Sequence, residues 1–146
     1  MRSNRALPNS LVLAAILIPW SLGCGGADPR PATVPVSGKV TFNGKPLTLG
    51  TVAFVPTGSK QSRPATGELD SSGAYKLMTY EPGDGAHPGD YKVSVSAFEG
   101  ANPLDKVEGK PILPQKYYRA DTSGLTATIK PDSSSETIDF TLEGAP

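Results

Sequence analysis

The chain has little of what most catalytic and metal sites are built from. Its 146 residues include one cysteine, Cys24, and one histidine, His87. A lone cysteine at the N-terminal side excludes disulfides, cysteine-based metal centres and a cysteine nucleophile within the rest of the chain. One histidine leaves no readable Ser-His-Asp arrangement, because any serine partner would be arbitrary. We therefore expect no catalytic residues, no cofactor and no metal.

Basic clusters are also missing. The formal net charge is +0, from 14 Lys and Arg against 14 Asp and Glu, and the two signs are interspersed along the chain. Binding to nucleic acid requires clustered Lys and Arg to neutralise phosphates. We therefore expect no nucleic-acid partner.

The main apolar run is too short to span a bilayer. It begins at Leu11 and ends at Ile18, well short of the roughly 20 residues that a membrane-spanning helix needs. Two arginines precede it and small residues follow it. A basic start, an apolar stretch and a small-residue end are typical of a secretory signal, so residues 1–23 are predicted to be a signal peptide.

The end of this segment resembles a bacterial lipobox. Gly23 and Cys24 fit the pattern, whereas Ser21 stands where leucine is usual. The resemblance implies cleavage after Gly23 and a membrane anchor of two or three lipid chains on Cys24, each buried CH₂ contributing about 0.8 kcal/mol. The alternative is an ordinary signal cut between residues 23 and 27, which leaves Cys24 as a spectator thiol. The lipid anchor would place the protein in the cell envelope, at its periplasmic or outer-membrane face. Gly25 stands where many lipoproteins retained at the inner membrane have Asp, which favours the outer membrane.

Residues 24–33 are predicted to be a short extended tether, because they are rich in Gly and Pro and have no apolar period. Residues 34–146 are predicted to form one β domain. Tyr91, Val93, Val95 and Ala97 alternate with polar residues, which is typical of a half-buried strand.

Other segments have the same alternation. Asn43-Gly44 predicts a type I′ hairpin turn between a strand from Val34 to Phe42 and a return strand from Leu47 to Val55. Further strands are predicted around Leu69 and Leu77, over 125–129 and over 137–142. Six or seven strands without a helical stripe predict an all-β fold, a seven-stranded antiparallel β-sandwich.

Several short stretches of the predicted strands and turns form a recognisable series. They are VSGKV (36–40), GKPL (44–47), GTVAF (50–54), DSSGAYKL (70–77), PGDYKVSV (88–95), LPQKY (113–117) and FTL (140–142). This series is similar to carboxypeptidase-regulatory-like domains, and its C-terminal part is similar to bacterial lipoproteins that carry such a domain. The resemblance implies a transthyretin-like (prealbumin-like), Ig-like sandwich and little about function, since such motifs serve the fold first.

Two chemistries known on related sandwiches fit poorly. Hydroxyisourate hydrolases use several histidines and a C-terminal Tyr-Arg-Gly-Ser, which this chain lacks. An intramolecular isopeptide would join Lys39 to Asp139, but it needs a buried neutral lysine and a protonated acid. Lys39 alternates outward, and Val95 stands where the acid is expected.

His87 lies between two carboxylates on a glycine-rich segment, with Asp84 before it and Asp90 after it. Imidazole and carboxylates bind divalent metals. The spacing matches no established ligand pattern, however, so a turn that enters the Tyr91 strand is the preferred interpretation.

The connection from 99 to 123 is longer than most loops in compact domains, and such loops are functional or disordered. It contains the candidate partner-binding residues. An exposed tyrosine pair beside Arg and Asp would stack on sugar rings or anchor a protein. The alternative is that Ile112, Leu113 and one tyrosine cap an open end of the sandwich. The candidate residues are Tyr117, Tyr118, Arg119 and Asp121.

Two functional hypotheses follow. The first is a lipid-anchored, non-catalytic accessory module that binds a protein or glycan partner. The second is a structural envelope component that associates with itself. A hydrolase or a metal-binding sandwich is a weak third, because the sequence shows no base, nucleophile and oxyanion site together.

Overall fold

A computed structural model describes residues 30–58, 63–100 and 109–145. The predicted signal peptide, the lipidation position Cys24, residues 24–29 of the predicted tether and residues 101–108 of the long connection lie outside these ranges. Within them, no helix is both long enough and apolar enough to cross a membrane.

The described residues form strands and a single turn of 3-10 helix, which confirms the prediction of an all-β domain. The elements are β1 Val36–Phe42, β2 Lys45–Pro46, β3 Thr51–Pro56, β4 Ala65–Glu68, β5 Ala74–Lys76, β6 Gly89–Ser96, β7 Phe98–Glu99, β8 Lys110–Pro111, the 3-10 helix Gln115–Tyr118, β9 Leu125–Ile129, β10 Glu136–Thr137 and β11 Phe140–Leu142.

The first sheet is built around β1. On one side β1 pairs with β2 and β5 in antiparallel fashion, and on the other side it pairs in parallel with β10 and β11. The parallel pairs depart from the purely antiparallel arrangement that we predicted. Antiparallel neighbours can be joined by a two-residue hairpin, whereas the first and last strands are separated by the whole domain and can pair in either direction.

The second sheet has the order β4-β3-β6-β9 and is antiparallel throughout. Its inner face packs on the first sheet, which gives the domain its sandwich character. Phe54 on β3 lies at the centre, with its ring centroid 6.3 Å from that of Tyr75 and 5.9 Å from that of Phe140, both on the first sheet. The predicted inward set Tyr91, Val93, Val95 and Ala97 is buried, as are Leu69, Tyr75 and Leu77.

The prediction that Leu47 to Val55 form a single return strand is wrong. The hairpin turn itself is confirmed, because Asn43 and Gly44 have φ of 49° and 77°. After two residues of β2, however, the chain leaves the first sheet and enters the second as β3. Gly50 lies at this crossing with φ +128°, and a Cβ there would be 2.5 Å from the carbonyl oxygen of Ser96. The crossing therefore requires glycine.

Candidate functional site

The candidate segment runs along one end of the sandwich as the 3-10 helix Gln115–Tyr118, and it places its two tyrosines differently. Tyr117 is 5% exposed. Its hydroxyl donates to the carbonyl oxygen of Glu143 at 3.2 Å and accepts from the amide of Glu143 at 3.1 Å. The expectation of an exposed pair is therefore wrong for Tyr117. This residue and Leu113, also buried, cap the sandwich as in the alternative interpretation.

Tyr118 lies at the surface of the cap and is partly buried. Its hydroxyl donates to the carbonyl oxygen of Ala97 at 3.0 Å and accepts from the amide of Leu113 at 3.2 Å. Its ring packs against that of Phe98, with centroids 5.1 Å apart and planes inclined by 32°. Phe98 is 45% exposed. The surface aromatic pair is thus Phe98 with Tyr118, not Tyr117 with Tyr118.

Phe98 was not among the predicted site residues, although the alternation of the preceding strand indicates its outward position. Period-two alternation places Tyr91, Val93, Val95 and Ala97 inward, so the next residue must point outward. Phe98 begins β7 and pairs with Pro111 on β8. An aromatic residue at an outward position of a strand is a candidate contact residue, because it exposes a large apolar surface.

Arg119 and Asp121 form a bidentate ion pair on the surface. Arg119 donates from Nε to Oδ1 and from Nη2 to Oδ2 of Asp121, both at 3.1 Å. This hydrogen bonding by Arg119 lowers the pKa of the Asp121 carboxyl. Asp121 also borders a shallow depression of about 460 Å³, which is lined by Val55, Pro56, Thr57, Lys92 and Ala120. A charged partner would have to compete with the ion pair itself.

The aromatic pair lies at the opposite end of the domain from the N-terminal entry. The carbonyl of Ala32 contacts His87, just before β6 begins at Gly89. The hydroxyl of Tyr118 contacts Ala97, just after β6 ends. The eight residues of β6 separate the two ends by about 26 Å at roughly 3.3 Å per residue.

The residues considered for a metal site are engaged elsewhere. Both ring nitrogens of His87 have hydrogen-bonding partners, Ala32 and Tyr80. The Asp84 carboxylate accepts three backbone amides, and Asp90 accepts the hydroxyl of Thr128 at 2.7 Å. In the ranges that the structure describes, no three His, Cys, Asp or Glu side chains converge as a ligand set.

Lys39 and Asp139 are neighbours, but not in the way an isopeptide needs. Both are exposed, and the Asp139 carboxylate accepts the backbone amide of Lys39 at 2.7 Å. They border a broad open groove of about 1240 Å³, whose lining includes Gly38, Gly67 and Tyr75. Because the isopeptide reaction requires a buried lysine and acid, the exposure of this pair disfavours it.

Comparisons with known proteins place the chain in no family. No family model matches it, and no curated protein matches it. Among solved structures, it is similar to a DUF3823 family protein from Parabacteroides merdae at 16% identity and a TM-score of 0.40. The match covers 80% of this chain and 47% of that one, so the chain spans about half the length of that protein. A likeness this distant identifies neither a family nor a function.

Proposed function

We propose that this protein is lipid-anchored through Cys24 in the cell envelope, at its periplasmic or outer-membrane face. Its β domain binds a protein or glycan partner without catalysis, through a surface centred on Phe98 and Tyr118. The observation that carries the proposal is the exposed ring of Phe98, which packs on a tyrosine held in place by two hydrogen bonds.

The Phe98–Tyr118 pair suits binding because its side chains are ordered before a partner binds. Aromatic side chains provide large contact areas and are enriched where proteins and other ligands are recognised. Anchoring of the Tyr118 hydroxyl to Ala97 and Leu113 removes rotational freedom before a partner arrives. A surface that is already ordered loses less entropy on binding.

The neighbouring groups favour binding over catalysis. The hydroxyl of Tyr118 already has backbone partners both as donor and as acceptor. Arg119 and Asp121 hold each other in a bidentate pair. Binding to a glycan or protein needs neither a base nor a nucleophile.

Self-association is a second candidate, favoured by a sheet edge. β9 is the last strand of the second sheet and pairs there with β6. Its Thr126 and Thr128 point outward and are exposed. A strand at a sheet edge can receive a strand from another chain.

A photo-crosslinking amino acid at position 98 of the full-length, membrane-anchored protein tests the proposal. Phe98 is preferred to Tyr118 as the labelled position because its side chain has no hydrogen-bonding group to lose. The matched control is the same crosslinker at Met78, which is 42% exposed and lies beside β5. We expect one foreign adduct from position 98 that position 78 does not give.

Other crosslinking results would favour self-association or contradict the binding surface. Adducts to a second copy of the chain would favour self-association, and adducts at neither position would contradict the binding surface. The intact mass of the membrane-extracted protein tests the anchor separately, since a mature chain without lipid mass would contradict lipidation of Cys24.

A further inference from the structure

The residues that precede β1 are bonded to the domain, although residues 24–33 were predicted to be a short extended tether. We call residues 30–34 the strap. Val34 and Ala86 exchange two backbone hydrogen bonds, of 2.8 and 3.0 Å. Two residues earlier, the carbonyl oxygen of Ala32 lies 3.0 Å from Nδ1 of His87. The strap therefore joins the domain through both its backbone and a buried side chain.

His87 connects the strap to the domain through both ring nitrogens. It is 4% exposed. A carbonyl oxygen only accepts, so Nδ1 carries the proton and donates to Ala32. In the neutral ring Nε2 then accepts from the hydroxyl of Tyr80, 3.0 Å away.

The segment that receives the strap also has hydrogen bonds of its own. The Asp84 carboxylate accepts the amides of Thr79, Tyr80 and Glu81 at 2.7, 2.9 and 3.2 Å. Gly85 lies directly under the strap, where a Cβ would be 1.8 Å from the carbonyl oxygen of Val34. A side chain at position 85 would therefore displace the strap.

The outer portion of the strap is held by charge and by an aromatic face. The guanidinium of Arg30 lies 5.2 Å from the ring centroid of Tyr80, and its Nη2 lies 3.1 Å from Oε1 of Glu81. The guanidinium of Arg63 lies 5.5 Å from the same ring. Tyr80 thus links three components of this end: its hydroxyl binds His87 and its ring contacts both arginines.

We propose that the strap, locked by His87, orients the domain on its anchor so that the Phe98–Tyr118 pair is held away from the membrane. The inference rests on the proposed lipid anchor at Cys24. Six residue steps separate Cys24 from Arg30, a reach of about 21 Å at most at 3.3–3.6 Å per residue. Without the strap, the first residue held to the domain would be Pro35, whose carbonyl oxygen accepts the amide of Glu136 at 2.9 Å. The reach from Cys24 would then increase to about 38 Å.

Amide hydrogen exchange of the full-length protein in lipid vesicles tests whether His87 locks the strap onto the domain. We expect His87→Ala to speed exchange of the Val34 and Ala86 amides at least ten-fold while the Val93 amide of β6 is unchanged. His87→Asn, which retains a donor near the position of Nδ1, should give a smaller increase. Unchanged exchange at Val34 in the folded His87→Ala variant would overturn the lock.

Energy transfer tests the orientation. A fluorophore on Leu49→Cys reports the far end of the domain, because Leu49 is exposed and precedes Thr51, which pairs with Ser96 at the far end of β6. With acceptor lipids in the vesicle, we expect transfer to increase at least two-fold in His87→Ala. Faster exchange without any change in transfer would overturn the orienting role. Absence of lipid on Cys24 would appear as a missing mass and as loss of vesicle binding, whereas the exchange measurement would still test the lock.

Discussion

The hydroxyl of Tyr75 donates to the carbonyl oxygen of Ile138 at 2.6 Å, at the interruption between β10 and β11. In a regular parallel ladder this oxygen would accept the amide of Lys39. That amide instead donates to the Asp139 carboxylate at 2.7 Å. Two side chains thus satisfy the backbone groups that the interruption leaves without ladder partners.

The stability of the domain should depend on the hydroxyl of Tyr75. Burial raises the pKa of Tyr75, and the charge of Asp139 raises it further, so the phenol stays a protonated donor at physiological pH. We expect Tyr75→Phe to lower the free energy of unfolding by about 1–3 kcal/mol, because the Ile138 oxygen loses its partner. Urea denaturation measures the change. An unaltered midpoint would show that water replaces the hydroxyl.

Position 38 should tolerate no side chain. A Cβ on Gly38 would lie 1.8 Å from the carbonyl oxygen of Ile138 and 3.0 Å from a ring carbon of Tyr75. We expect Gly38→Ala to cost about 3 kcal/mol or more, since backbone must move. Gly58→Ala is the matched control, because nothing lies within 4 Å of its added Cβ. Equal thermal stability of the two variants would contradict the close approach of Gly38 to Ile138.

The acid stability of the domain should depend on Asp84. Burial would raise the pKa of this carboxyl, but three amide hydrogen bonds outweigh it and hold the pKa below its usual value. The stabilisation is therefore complete above the unfolded-state pKa of about 3.9 and is lost as the pH falls through the lower folded-state value.

Asp84→Asn should reproduce that loss at neutral pH. We expect the variant to be less stable by about 1–2 kcal/mol at pH 7, because its amide group faces backbone donors. The difference between the two proteins should shrink below about pH 4. Chemical denaturation from pH 7 to pH 2 measures it, and a difference that is constant over this range would argue against the carboxylate.

The two tyrosines of the cap should separate stability from binding. Tyr117→Phe removes both hydrogen bonds to Glu143, and we expect it to cost about 1–3 kcal/mol without changing what a crosslinker at position 98 captures. Phe98→Ala should leave the unfolding midpoint nearly unchanged, since the ring is already half exposed, but should reduce partner capture when the crosslinker stands at Lys116. Reduced capture in Tyr117→Phe together with unchanged capture in Phe98→Ala would place the binding surface on Tyr117.

Local features of this fold follow closely from local sequence. The alternation from Tyr91 to Ala97 predicted the buried face of β6, and Asn43-Gly44 predicted the hairpin turn, because each depends on residues adjacent in the chain. The sheet to which a strand belongs, by contrast, depends on residues that are distant in the chain. β2 and β3 are joined by four residues and yet lie in different sheets, since their partners, β1 and β6, are distant in sequence.

The candidate site was only partly predictable for the same reason. The segment that follows β6 was recognised as unusual, but Tyr117 and Tyr118 have the same side chain and so the same preference for burial. In a 3-10 helix, successive residues point about 120° apart, so one tyrosine faces the core and the other the surface. Only the contact of Tyr117 with Glu143, 26 residues away, decides which.

The parallel pairing of β1 with β10 and β11 also determines how the domain responds to force. β1 starts at the end where the strap attaches, and β11 finishes at the opposite end, where Asn43 and Gly144 exchange two hydrogen bonds of 3.0 and 3.1 Å. Tension applied between the strap and the end of β11 pulls β1 and β11 in opposite directions along their length. All the bonds between them are then strained together in shear, whereas the bonds of a hairpin pulled from its open end break in succession. We therefore expect the first and last strands to resist a pull between the strap and the far end of the domain as one unit.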